Sequence, residues 1–540
     1  MPKSLDVYLQ SDLVGHLSQD TGGQMHFQYV ESWLDGSGAA PLSQSLPLRK
    51  ERFSQKECRG YFGGILPEAS NREIVARNLG ISAPNDFAML KEIGGECAGA
   101  VTFVPTGDRL PENRNSHRTL SSSELAVVLR ELRKRPLLAG QEGIRQSLAG
   151  AQDKVAVCLS GDEISLPLDG APSTHVLKPA VERFEGVVQN ESLCMRLAAA
   201  IGLPTAKVEA RSVEGMDYLL VERYDRVYRK DLIHGPVLER LHQEDFCQAF
   251  GIVSEMKYQN EGGPSLKQCF ALLRKVSSAP VIDLARLLDA VIFNYIVGNN
   301  DAHGKNFSLL YRGLGTACMQ EESAMTVIPM VTRRLLRTKQ AAAYLSMSEW
   351  KLRRLIQTEI IPFVQDQRGG PFLSPAYDFL TTSVYAGYQQ NPPGISFLGK
   401  KTWTPGKNLS RFIASTFGIP LREQSVMLER ISDAVADTVP LVRERMSELP
   451  EFRDIGKRML LAWQEGITSL RDRRAYAVGD WPANKVFEGI SDPPKLEDPK
   501  TVLGRSPLLG SRSSRSKKLS LCNAVDIRYW VDCEVFAWVR

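Results

Sequence analysis

Between residues 297 and 307 the chain reads Val-Gly-Asn-Asn-Asp-Ala-His-Gly-Lys-Asn-Phe, a loop too polar for a core. It follows a stretch in which Leu284, Leu287, Leu288, Val291 and Tyr295 fall on one helical face and deliver the chain to Gly298. Asp301 and Asn306 lie five apart in it. Phosphoryl transfer needs this pair: a carboxylate to orient and accept the proton of an attacking hydroxyl, and a side-chain carbonyl to hold Mg²⁺. Lys305 can neutralise charge on the moving phosphoryl group, and His303 joins Asp301 and Lys305 as a candidate catalytic side chain. Downstream, Pro375-Ala376-Tyr377-Asp378-Phe379 brings a second carboxylate, Asp378, after an apolar turn, as a metal-binding Asp should sit.

Composition sets the class around that loop. The chain has 540 residues, 43% hydrophobic and 24% charged, which excludes a disordered, collagenous or membrane-embedded protein and suggests three or four domains or subdomains. A net charge of +5 is too small for a general polyelectrolyte binder, so any nucleic-acid role must sit in a local patch. Nine scattered cysteines without a CxxC pair, and seven histidines outside ligand spacing, argue for a reducing compartment and against structural zinc. The N-terminus lacks the apolar run of a signal peptide, and no 18-residue apolar stretch occurs. A soluble, cytoplasmic protein with no membrane contact is expected.

Residues 1–105 read as an α/β unit: Leu5, Val7 and Leu9 alternate as in a half-buried strand, Tyr61 to Gly64 form a loop entering a helix, and Gly99 to Val104 close the unit as a strand. Residues 106–143 are a breaker-rich linker followed by a helix capped at Ser121 to Glu124. From 144 to 312, strand-like runs at Val155 to Leu159, Thr174 to Lys178 and Tyr218 to Tyr224 give way to helical period, with a helix opening at Asn190. Residues 373–475 are helical, with an apolar stripe of Ile455, Met459, Trp463, Ile467 and Leu470. Sheet first and helices afterwards is an α+β order. Residues 476–540 read as a disordered basic tail; 501–540 carries seven basic against three acidic residues.

Other parts of a phosphotransferase can be sought. Ser147-Leu148-Ala149-Gly150-Ala151-Gln152-Asp153-Lys154 has small residues that let backbone N–H groups approach phosphates, although its single Gly also suits a plain turn. Lys178, ending a strand, can pair the α- and β-phosphates with Glu191 behind it.

Together these pieces resemble the HipA family, the kinase toxins of bacterial toxin–antitoxin modules. The resemblance spans roughly 1–312 and 373–475. It includes Gly63 to Glu68, Ser147 to Lys154, His175 to Lys178 and Val221 to Arg226, then Gln243 to Asp245, Lys257-Tyr258 with Gly262-Gly263-Pro264, and Asn300 to Asn306. It implies a two-lobed, protein-kinase-like Ser/Thr kinase using ATP and Mg²⁺, with an N-terminal family domain and a helical C-terminal lobe. Carried over, Asp301 is the base, Asn306 and Asp378 hold Mg²⁺, and Ser147, Ala149, Gly150, Ala151, Gln152, Lys154 and Lys178 bind ATP phosphates. Glu222 and Tyr224 are hinge contacts to adenine. Ser147 matches a serine that family members autophosphorylate, expelling the phosphate loop. The implied partners are a HipB-like DNA-binding antitoxin and a protein substrate of the aminoacyl-tRNA synthetase class.

One departure is large: Asp301 and Asp378 are 77 residues apart, where the family has a short hairpin. The added segment, about 313–372, carries two capped helical stretches (Thr338, Ser348) and a wing-like Ile361 to Pro371, resembling an excisionase/MerR-type winged helix-turn-helix. Residues 333–368 hold eight basic and three acidic residues, with Lys351, Arg353 and Arg354 on the expected recognition helix, so duplex DNA is an expected ligand of the insert as well as of the antitoxin. The alternatives are a DNA-binding regulator whose kinase fold the insert has disabled, and a small-molecule kinase of related fold.

Overall fold

Leu5, Val7 and Leu9 are buried on one side of strand Lys3–Leu9, which lies between Asp12–Gln19 and Val101–Pro105 in a four-stranded antiparallel sheet completed by Met25–Tyr29. The structure is a computed structural model and describes residues 3–36, 38–110, 116–231, 235–311, 370–389, 391–396, 407–417, 419–470, 486–494 and 496. Tyr61 to Gly64 are the last turn of helix Gln55–Gly64, not a loop. The Ser54/Glu57 capping box starts that helix, and its glycines permit contact: a Cβ on Gly60 would lie 2.3 Å from the Gly251 carbonyl carbon.

The second unit is a six-stranded antiparallel sheet ordered Val208–Val213, Met216–Glu222, His175–Pro179, Val155–Ser160, Glu163–Pro167, His117–Thr119. Its last strand comes from the stretch expected to be linker, so the N-lobe begins near 117. Helix Val187–Ala200 packs on the sheet; it starts three residues before Asn190 because Gly186, in the left-handed region at φ +66, opens it. The helical lobe contains Leu266–Val276, Pro280–Val297, Leu421–Glu448 and Arg453–Leu470. Ile455, Met459, Trp463 and Ile467 are buried in its core as the stripe requires. A three-stranded sheet of His242–Asp245, Ser308–Tyr311 and Phe372–Leu373 frames the polar loop.

Leu309 and Leu310 pair antiparallel with Leu373 and Phe372, so the ends of the inserted segment leave side by side. The insert itself, with Lys351, Arg353 and Arg354, lies outside the described residues apart from 370–372. The expected tail differs at its start: Phe487 is buried in the helical core, and Arg443 Nη2 donates to the Val486 and Glu488 carbonyls at 3.0 and 2.7 Å. An aromatic ring and two carbonyl acceptors fix residues 486–488, which the basic composition further on does not reveal. Among the described residues no helix is long and apolar enough to cross a membrane.

Two buried polar sets join the N-terminal unit to the rest. Glu96 meets Arg223, Arg226 and Arg240 at 3.0, 2.8 and 2.8 Å, and Asp225 takes Arg223 and Arg226 at 2.8 and 3.0 Å. Burial alone would raise the Glu96 carboxyl, but the three guanidiniums outweigh it and hold it at about 2. Removing one member would strand a buried charge, at a cost of about 3–5 kcal/mol. The second set is Glu244, which accepts from Ser43 Oγ at 2.5 Å, from the Gln44 amide at 3.1 Å and from the Tyr311 hydroxyl.

Burial pushes the Glu244 carboxyl up to about 7, against those hydrogen bonds. The folded state therefore keeps a proton that the unfolded chain gives up near 4.5. This contribution to stability is full below that value and is lost as pH rises through about 7. Thermal unfolding from about pH 5 to about pH 8 should cost wild type more in Tm than Glu244→Gln, which carries no such proton. Parallel curves would show that Glu244 does not titrate in this window.

Candidate active site

Helix Pro280–Val297 ends at Gly298, in the left-handed region at φ +68. A Cβ there would also stand 2.4 Å from Ser383 Oγ, so glycine is needed twice over. The loop is then fixed by side chains. Asn299 Oδ1 accepts from the Asp301 amide at 3.2 Å, and Thr382 Oγ1 accepts from the Asn300 amide at 2.8 Å while donating to the Gly298 carbonyl at 3.1 Å. Asp301 is buried, and the Tyr258 hydroxyl donates to its Oδ1 at 2.6 Å.

His303 and Asn306 cap the short turn Gly304–Asn306. Asn306 Oδ1 accepts from the His303 amide at 3.1 Å, and His303 Nδ1 accepts from the Lys305 amide at 3.3 Å. His303 Nε2 is 4.0 Å from Asp301 Oδ1, so the ring is a neighbour of that carboxylate and a shaper of the turn. Lys305 departs from its expected role. Its ammonium is buried between Asp245 Oδ2 at 2.8 Å, the Gly64 carbonyl at 3.1 Å and Glu68 Oε1 at 3.5 Å. A desolvated ammonium takes the acceptors that surround it, and here these come from the N-terminal unit and the neighbouring strand. In this structure Lys305 ties the loop to the N-terminal unit and to strand His242–Asp245.

Asp378 returns to this loop despite the long detour. Tyr377, its neighbour, donates to the Lys305 carbonyl at 2.8 Å and bonds Ser308 Oγ at 2.7 Å. Asp378 itself adopts φ +56, a left-handed conformation costly for a non-glycine residue and often found at functional sites. Its carboxylate pairs with Lys178, whose ammonium also holds Glu191 Oε1 at 2.7 Å. Burial would lower the Lys178 ammonium, and the Asp378 and Glu191 carboxylates raise it above its ordinary value. The expected Lys178–Glu191 pair is formed, and Asp378 is brought to the same ammonium.

Ser147 is fully buried on the short strand Gln146–Ser147, which pairs with Glu96–Cys97, and its Oγ donates to the Ile65 carbonyl at 3.0 Å. The following loop turns at Gly150, φ +103. It is tied to the N-terminal unit by the Glu68 amide on the Gly150 carbonyl at 3.1 Å and by Asn71 Nδ2 on the Ala151 carbonyl at 2.8 Å. Lys154 Nζ folds back onto the Ala149 carbonyl at 2.7 Å, and Gln152 is buried in the same loop. Glu222 and Tyr224 lie between the lobes. Glu222 is half-exposed and pairs with Lys207 at 3.0 Å, while the Tyr224 ring stacks on Tyr377 with centroids 5.6 Å apart.

Sequence reasoning quoted Glu68, Asp245, Lys257 and Tyr258 within motifs but gave them no task. Lys257 Nζ holds Glu68 Oε2 at 2.9 Å, so all four belong to the shell of the loop. The available signal was the turn Gly262-Gly263-Pro264, which makes the Lys257–Tyr258 segment double back. Among the described residues there is no cluster of three or more His, Cys, Asp and Glu side chains able to hold a metal. Asp378 and Asn306 offer hard oxygen donors, which suits a cation bound by one or two protein groups plus phosphate oxygens.

A small antiparallel sheet bearing a Lys–Glu pair, joined to a helical lobe bearing an Asp-to-Asn loop and a later Asp, defines a protein-kinase-like phosphotransferase. Comparison with known proteins narrows this. Residues 5–104 match the HipA N-terminal domain and residues 146–320 the HipA-like C-terminal domain. The chain is 50% identical over 317 residues to the putative kinase Y4mE of Sinorhizobium fredii, covering 58% of this chain and 74% of that protein. It is 30% identical over 317 residues to the serine/threonine-protein kinase toxin HipA of Shewanella oneidensis, covering 56% of this chain and 71% of the relative. A solved complex of Shewanella oneidensis HipA, HipB and operator DNA contains a chain of the same fold, with TM-score 0.62, 22% identity, and coverage of 89% of this chain and 99% of the other. This chain belongs to the HipA family. Asp378 lies outside both family-domain matches, and its assignment stands on geometry.

Proposed function

We propose that this chain is an ATP- and Mg²⁺-dependent serine/threonine protein kinase, the toxin of a module whose other member is a HipB-like DNA-binding antitoxin. The observation that carries the reading is the Lys178 ammonium held by Glu191 and Asp378 beside a loop that presents Asp301. The cytoplasm and an aminoacyl-tRNA synthetase substrate are carried over from the family resemblance.

In this reading Lys178 moves from Asp378 to the α- and β-phosphates when ATP enters, while Glu191 stays as its partner. Asp378 and Asn306 are then the protein oxygens for Mg²⁺, which when bound neutralises charge on the phosphate oxygens. Asp301 accepts the proton of the substrate hydroxyl as that oxygen bonds to the γ-phosphorus. The bond from the γ-phosphorus to its bridging oxygen breaks, and ADP departs with the electron pair. The backbone of Ala149 to Gln152 cradles the phosphates, and Lys154 turns from Ala149 towards them. Glu222, the last residue of strand Met216–Glu222, and Tyr224, two residues beyond it, contact adenine.

Asp301→Asn keeps the side-chain volume and removes the base. Phosphate transfer from ATP should fall by roughly 10²–10⁴ or more, with the thermal unfolding temperature nearly unchanged. Transfer at the wild-type rate would sink the assignment.

Ser147 is assigned as the self-silencing site. Its hydroxyl donates to a carbonyl in a fully buried position, so a phosphate of about −2 charge has no room there without the strand moving. Modification would hold strand Gln146–Ser147 away from Glu96–Cys97 and the phosphate loop with it. Ser147→Ala should therefore stay active through prolonged incubation with ATP while wild type declines. Equal decline of both proteins, with Ser147 unmodified by mass spectrometry, would contradict this.

A further inference from the structure

We infer that Tyr258 is a positioning residue for phosphoryl transfer, its hydroxyl setting the direction in which Asp301 receives the substrate's proton. This rests on the reading of Asp301 as the base and adds a component to it.

Tyr258 and Asp301 are both buried, and the 2.6 Å bond between them joins a phenol to the loop's carboxylate. The tyrosine is built into place. The turn after it folds back through Gly262, φ +110, and the Gly263 amide donates to the Tyr258 carbonyl at 2.8 Å. A Cβ on Gly263 would lie 2.4 Å from the Lys257 carbonyl oxygen. On the facing loop, a Cβ on Gly304 would lie 2.6 Å from Pro264 Cγ. Gly263 lets the tyrosine segment turn tightly on itself, and Gly304 lets the loop approach that segment more closely than a side chain would allow.

Further contacts hold the segment. The Gln259 amide donates to the Gly394 carbonyl at 2.9 Å, and the Gly394 amide donates to the Asn300 carbonyl at 2.8 Å, so one short strap ties the tyrosine segment to the loop it serves. Lys257 is anchored on Glu68 at 2.9 Å. The Tyr258 ring meets His303 edge-on, with centroids 4.8 Å apart and planes at 77°. Packing alone would be served by phenylalanine. What the hydroxyl adds is a bond to an oxygen of the proposed base. A hydrogen bond to an ionised carboxylate is stronger than one to a neutral acceptor, and it restrains the direction in which the aspartate presents its oxygens.

The test is a double-mutant cycle on the full chain, read by single-turnover transfer of γ-phosphate from ATP, with the apparent KM for ATP measured alongside. Tyr258→Phe keeps the ring against His303. It should lower the transfer rate roughly tenfold to a hundredfold, the loss of one charge-assisted bond, and leave the KM for ATP within about twofold. Added to Asp301→Asn, it should lower the rate no further, because a residue that acts through Asp301 has nothing left to act on. Thermal unfolding separates this from a packing defect. A Tyr258→Phe protein as fast as wild type, or losses that multiply in the double variant, would overturn the inference while Asp301 stands. Asp301→Asn at the wild-type rate would instead overturn the reading of the base.

Discussion

The ammonium of Lys305 is the point on which the site depends. It is buried, and a desolvated cation is tolerated only where acceptors surround it, so its surroundings are specified closely. Asp245 comes from the strand paired with Ser308, while Gly64 and Glu68 come from the N-terminal unit. The catalytic loop, the strand that follows it and the N-terminal unit are therefore set by one interaction. Lys257 on Glu68 extends the chain of charges to the turn that carries Tyr258, and through it to Asp301. The N-terminal unit in this sense contributes to the walls of the candidate site. The Glu96–Arg223–Asp225–Arg226–Arg240 cluster and the Glu244 hydrogen bonds hold the same junction elsewhere.

A second constraint concerns Lys178. Its ammonium, held by Glu191 and Asp378 together, and the two carboxylates neutralise one another's charge in a buried setting. In the proposed reading, the same arrangement holds Asp378 on a partner that it would exchange for the phosphate-bound cation. Its left-handed backbone is consistent with a carboxylate held ready against local preference.

Much of this was legible in the chain because periodicity and capping act locally. Leu5, Val7 and Leu9, the Ser121–Glu124 cap and the stripe from Ile455 to Ile467 each lie where their pattern indicates. The polar loop was legible because its residue types have few other uses together. Less visible were features created by distant partners. Lys305 reads as a candidate catalytic residue because it lies between Asp301 and Asn306, and only the fold brings Asp245 and Glu68 to it. Tyr61 to Gly64 look like a loop because two glycines stand there, although Gly64 serves a helix contact with Gln248, as Gly60 one turn earlier serves one with Gly251. Tyr258 was present in a recognised motif, yet nothing local indicates that its hydroxyl ends on Asp301.

The most direct test of the account is transfer of label from γ-radiolabelled ATP to the purified full chain, with Mg²⁺ present or chelated, and Lys178→Met alongside wild type. The account predicts label on the wild-type protein only when Mg²⁺ is present, and none on Lys178→Met. Label on both proteins, or none on a wild-type protein that binds ATP, would contradict it.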